Sequence, residues 1–164
     1  MSFHIPPNPH ATFSSSVDQP IVDPTLAQVI TFDTTIAANG ITLVSGSRIT
    51  LPQPGNYSFA VSAVASAVGA ANAKQVSIWF RKNGLDVTNS NTYLTVNKDP
   101  TIIAVVLDLP CSTAGDYYQL WWSGETTGVK LDAVAAIVHL ANHQNTKPPV
   151  WLEGYAANNP PAEK

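Results

Sequence analysis

Between residues 56 and 68 the chain alternates. Tyr57, Phe59, Val61, Ala63 and Ala65 take one parity and Ser58, Ala60, Ser62, Val64 and Ser66 the other. Successive side chains of a strand point to opposite faces, so this spacing predicts a strand with its aromatic set turned inward. The Ala/Ser-rich end also has helix propensity, but the Pro/Gly turn before it and the alternation favour a strand. Residues 75–81 repeat the pattern, with Val76, Ile78 and Phe80 on one side and Trp79 on the other. Residues 116–123 place Tyr118, Leu120 and Trp122 opposite Tyr117, Gln119 and Trp121. Residues 101–109 are almost wholly apolar, which predicts a strand covered on both faces. Residues 129–140 form the last long candidate, and 11–17, 28–35, 41–44, 48–51 and 93–96 are shorter ones. Turn residues separate them, including Asn39-Gly40, Ser45-Gly46-Ser47 and Asn83-Gly84. No stretch has a convincing helical period.

Strands at short spacing without helices predict an all-β antiparallel sandwich. Its expected core is Phe32, Tyr57, Phe59, Ile78, Phe80, Tyr118, Leu120 and Trp122. Three segments follow from the patterning: an extended arm over 1–10, a domain over 11–141 and a proline-rich arm over 142–164. Proline restricts the free arm, so little entropy is lost when it lies on a neighbour. Phe3, Trp151 and Tyr155 are the candidate docking anchors of these arms.

Composition narrows the function classes. The chain has 164 residues, enough for one domain with an adequate core. Charged residues make up 12%, against roughly 25% in an average soluble domain. Two sources fit: burial against other subunits, or exposed faces rich in Thr, Ser and Asn. Net charge is -3 and the basic residues are scattered, so no track for phosphates exists and nucleic-acid binding is not expected. The first ten residues have neither a basic nor an apolar leader region, and no apolar run reaches membrane-spanning length. A soluble product made in a cytoplasm is expected, with no membrane partner.

Candidate chemistry is thin. The histidines stand at 4, 10, 139 and 143, and no G-x-S-x-G elbow accompanies them. Cys111, the only cysteine, reads as a small core residue at a strand edge. His139 and His143 straddle the end of a strand, a poor metal pair, and no His-x-His occurs. Asp86, Asn89, Asn91, Asp99 and Asp108 are scattered oxygen donors for calcium. Glutamate occurs only at 125, 153 and 163, a small supply for glycoside cleavage. Carbohydrate binding is better motivated, because Trp79, Trp122 and Trp151 could stack on sugars. Neither a catalytic residue nor a cofactor is expected.

Four phrases carry a family resemblance. Val29-Ile-Thr-Phe32-Asp33, Pro52-Gln-Pro54-Gly55-Asn-Tyr57-Ser-Phe59, Ile78-Trp-Phe80-Arg-Lys82-Asn83-Gly84 and Ala114-Gly115-Asp116-Tyr-Tyr118-Gln-Leu120 occur in this order. Together they resemble the C1q/TNF-like jelly-roll family over about residues 11–140. The resemblance implies a jelly roll that closes as a homotrimer. Tyr117, Gln119 and Trp121, with Trp79, then face the three-fold axis. Large aromatics on the second face of a strand need such cover, or cover from loops or the tail of the same chain. The chain lacks a collagen G-X-Y stalk and carries residues beyond the expected last strand. It looks most like bacteriophage virion proteins. The first expectation is a non-enzymatic capsid decoration or cement protein, bound to the major capsid protein on the virion surface. The alternatives are a receptor- or carbohydrate-binding fibre head and a bacterial C1q-like binding module.

Overall fold

Thirteen strands and no helix make up the described part of the chain, residues 8–67 and 73–142 of the computed structural model. The strands are β1 (His10–Ser15), β2 (Gln19–Pro20), β3 (Gln28–Val29), β4 (Thr34–Asn39), β5 (Thr42–Val44), β6 (Arg48–Thr50) and β7 (Gly55–Ala67). They continue with β8 (Lys74–Lys82), β9 (Leu85–Asp86), β10 (Thr92–Val96), β11 (Thr101–Cys111), β12 (Tyr117–Gly124) and β13 (Val129–Asn142). Phe3, Trp151 and Tyr155, with His4 and His143, lie outside the described residues.

Two antiparallel sheets form a sandwich. One is six-stranded, in the order β11-β7-β13-β1-β4 with β2 on β13. The other is seven-stranded, in the order β10-β8-β12-β6-β5 with β3 on β12 and β9 on β8. Each inward face comes from the parity that the alternation predicts. Tyr57, Phe59, Ile78, Phe80, Tyr118, Leu120 and Trp122 are all buried, and Phe32 joins them. Phe59 meets Phe80 at 5.5 Å and Tyr118 at 5.3 Å, edge to face, so one ring of the first sheet sits on two of the second. The Tyr57 hydroxyl donates to Gln53 O at 2.8 Å, and burial pushes its pKa up to about 12. The Tyr118 hydroxyl donates to Pro110 O.

Two expectations need correction. Residues 28–35 are not one strand. Phe32 and Ile30 are buried around exposed Thr31. The backbone, however, bonds in turn to Leu120 O, Gly46 O and Ser14 O, and so crosses from one sheet to the other. The alternation survives this crossing while the ladder does not. Second, within the single chain β11 is covered on one face only. Ile103, Val105 and Leu109 point inward, whereas Ile102 is 71% and Val106 73% exposed. It is an edge strand with an apolar outer parity, a pattern that sequence cannot distinguish from full burial.

Turns set the strand pairings. Asn83 and Gly84 both have positive φ, as a type I′ hairpin requires, and they join β8 to β9. Asp116 binds the adjoining loop. Its carboxylate accepts from Asn83 Nδ2 at 3.0 Å, Ser112 N at 2.9 Å and Thr113 N at 3.1 Å, and Lys82 Nζ lies 3.5 Å away. The Asn83 bond and the two loop amides hold its pKa down at about 2. A depressed carboxylate stabilises the fold above its unfolded pKa, and this stability is lost as pH falls through the folded value. Asp116→Asn is therefore expected to cost about 1–2 kcal/mol at pH 7. The gap to the parent should narrow as pH falls from about 4 towards about 2. Thermal melts at pH 7 and pH 2 check this; an equal penalty at both would mean that the charge is not the source.

Candidate functional site

The sandwich presents two outer faces of opposite character. On the seven-stranded sheet the expected interface residues do come together. Trp121 pairs with Trp79 and Gln119 with Arg81 across β12 and β8, and Tyr117 stands beside β6. All are half-buried. Their cover comes from the same chain: the Arg81 guanidinium lies 4.0 Å from the Trp121 ring centroid and 6.0 Å from that of Trp79. Arg48 lies 4.8 Å over Tyr117. Cations over aromatic faces are attracted by the ring quadrupole.

Polar ties hold this arrangement. Arg81 Nε and Trp79 Nε1 both donate to Asp86 Oδ1, at 2.6 and 2.9 Å. These two bonds, Arg81 first, hold the Asp86 carboxyl below its ordinary pKa. Trp121 Nε1 donates to Gln119 Oε1 at 3.4 Å, and Gln119 Nε2 donates to Ser47 Oγ at 3.0 Å. The aromatic face thus carries an intramolecular lid of two arginines. The arginines cover these rings in part, and Trp79, Tyr117, Gln119 and Trp121 stay half-buried within the chain. Sequence reasoning missed the arginines, although the Trp79-x-Arg81 spacing on a strand puts both on one face.

The six-stranded sheet is different. Its cross-strand registers align Val106, Ala60, Ile137, Thr12 and Ala37 in one row. The next rows hold Ala104, Ser62, Ala135, Ser14 and Thr34, then Ile102, Val64 and Ala133. No Asp, Glu, Lys or Arg stands in these rows. Ile102 and Val106 are mostly exposed, and Ile137 is 50% exposed. A hollow of about 310 Å³ lies over the small residues Ser14, Ser62 and Ala135. The row Asp108, Ser58, His139, His10 and Asn39 closes one end of the face. Neither aliphatic parity of β11 nor the small residues of β7 and β13 were singled out from sequence. Their signal is visible only once the strands are in register.

Other candidates are scattered or sequestered. Trp122 is fully buried and cannot stack on a sugar. Cys111 is buried, and burial pushes its thiol pKa up. Among the described residues no group of three His, Cys, Asp or Glu side chains gathers as a metal site. Asp86 is committed to Arg81 and Trp79, and Asn91 donates to the Tyr93 hydroxyl at 3.4 Å. No helix of the described residues is long and apolar enough to cross a membrane. No protein-family model matches the chain, and no curated protein matches it.

Proposed function

We propose that the chain is a non-enzymatic virion structural protein, a homotrimeric capsid decoration or cement protein of a phage. The observation that supports the trimer is the outer face of the six-stranded sheet, where exposed Ile102, Val106 and Ile137 stand among small and hydroxyl residues in successive rows free of full charges. Contiguous apolar surface of this kind marks interaction sites, and interface cores are depleted in charge. A second copy is the fitting occupant. The face has projecting Ile102, Val106 and Ile137 beside a hollow over small residues. Its central rows carry no charge, and the charged residues Asp108, Lys130 and Asp132 stand at its two ends. The low charge fraction of the whole chain agrees with such burial. On this reading the subunit contact lies on the opposite sheet from Trp79, Tyr117, Gln119 and Trp121, which the family resemblance would put at the axis.

The virion role rests on the resemblance of the four ordered phrases to C1q/TNF-like jelly rolls, supported by the two-sheet sandwich. In such a trimer the mechanism is mechanical: rigid sandwiches close an apolar axis while peripheral contacts clamp neighbouring capsid subunits, and multivalency supplies avidity. Light scattering coupled to size exclusion is expected to give a mass near three times 17.4 kDa. The trimer should then co-sediment with undecorated phage heads and raise their resistance to heat. A monomer removes the assembly reading, and a trimer that ignores heads removes the cement role.

A further inference from the structure

A trough runs over the seven-stranded sheet beyond the arginine lid. Tyr93, Ser77 and Ser123 form one cross-strand row over β10, β8 and β12. The two serines are small, and the sheet surface dips where they stand. On one side the dip continues into a hollow of about 290 Å³ lined by Trp79, Asp86, Val87 and Asn91. On the other it continues into one of about 230 Å³ lined by Pro24, Gln75, Gly124 and Glu125. Both hollows share Ser77, Tyr93 and Ser123, so they are halves of one depression.

From this geometry we infer that the trough binds a segment of neutral polysaccharide side-on. Three features select that class. The hollows are small and open, at or below the size that engulfs a drug-like molecule, so the ligand lies along the surface. The lining alternates aromatic surface with hydroxyl, amide and carboxylate groups. Tyr93 offers apolar ring surface with a polar tip, and half-buried Trp79, its Nε1 engaged by Asp86, adds ring surface beside it, which suits a sugar's C–H face. Asp86 uses Oδ1 for Arg81 and Trp79, and Glu125 uses Oε1 for Gln75 N at 3.0 Å. The second oxygen of each carboxylate is an acceptor for sugar hydroxyls. Acidic glycans are disfavoured, because carboxylates stand in both halves while the nearby Arg81 is engaged. A peptide would add to the free edge of β10 or fill apolar pockets; the floor of this depression lies further in, on β8 and β12, and is polar. Tyr93 is 64% exposed, and its hydroxyl accepts from Asn91 Nδ2 at 3.4 Å at the rim of the trough.

The test uses the full chain. A glycan array carrying neutral and acidic bacterial and eukaryotic glycans identifies binders. Saturation-transfer NMR with each neutral hit then measures affinity. At least one neutral glycan is expected to bind with a millimolar-range Kd. Tyr93→Ala should weaken it at least tenfold, and Ser123→Tyr, which fills the floor, should abolish it. Val44→Ser, on β5 at the opposite edge of the same sheet, should leave binding unchanged, and unaltered circular dichroism of each variant confirms folding. The inference is overturned if no neutral glycan binds, if only acidic glycans bind, or if binding survives both trough variants.

Discussion

Val106→Lys is expected to convert a species near three times 17.4 kDa into one of 17.4 kDa, while Trp121→Ala leaves the larger mass in place. Val106 stands on the outer parity of β11, at the end of a row that continues through Ala60 and Ile137. It is 73% exposed within the chain, so a lysine there costs the isolated sandwich little, and edge strands commonly carry lysine. In a closed trimer the same ammonium enters an apolar contact in every subunit. An unpaired buried charge costs several kcal/mol per ion even after relaxation, which exceeds what a modest interface can offset. Trp121→Ala acts elsewhere. It removes the ring beneath Arg81, and the loss of a partly exposed cation–aromatic contact is on the order of 1 kcal/mol. That lowers the melting temperature without touching the six-stranded sheet. Light scattering on the two variants separates the faces: dissociation by Trp121→Ala alone would place the axis on the aromatic face and not on the six-stranded sheet.

The contrast between these residues shows what sequence could and could not supply. Period-2 alternation specified the inward parity of β7, β8 and β12, because a buried face tolerates no polar slip. Tyr57, Phe59, Ile78, Phe80, Tyr118, Leu120 and Trp122 all follow from it. The same alternation says nothing about what covers the outward parity. Tyr117 and Trp121 read as a subunit contact because aromatics need cover. Arg48 and Arg81, from neighbouring strands, supply part of that cover, and both rings stay half-buried. In β11 the ambiguity ran the other way: an apolar run predicts burial on both faces, and only sheet order reveals an edge strand with Ile102 and Val106 outside. The trough depends on Ser77 and Ser123 being cross-strand partners, a register that short-range patterning does not fix. Local periodicity therefore specified the core, and the candidate surfaces required long-range pairing.

Phe59→Ala should cost about 3–5 kcal/mol, a large part of the 5–15 kcal/mol typical of a folded domain. Phe59 is fully buried in the centre of β7, between β11 and β13, with Leu107 and Val138 as its register partners. Its ring reaches across the sandwich to Phe80 and Tyr118, so truncation removes two edge-to-face contacts and leaves a void between the sheets. The void cannot close easily, because long ladders on both sides hold β7 in place. Tyr57→Phe is the matched comparison on the same strand. It deletes only the hydroxyl bond to Gln53 O and is expected to cost about 1 kcal/mol. Both variants are best measured by urea denaturation in the Val106→Lys background, where unfolding is not coupled to dissociation and does not depend on protein concentration. The dependence on urea should keep its slope while the midpoint falls. A penalty for Phe59→Ala no larger than that for Tyr57→Phe would mean that the two sheets can draw together over the missing ring, and that the central aromatic cluster is not what holds them apart and in register.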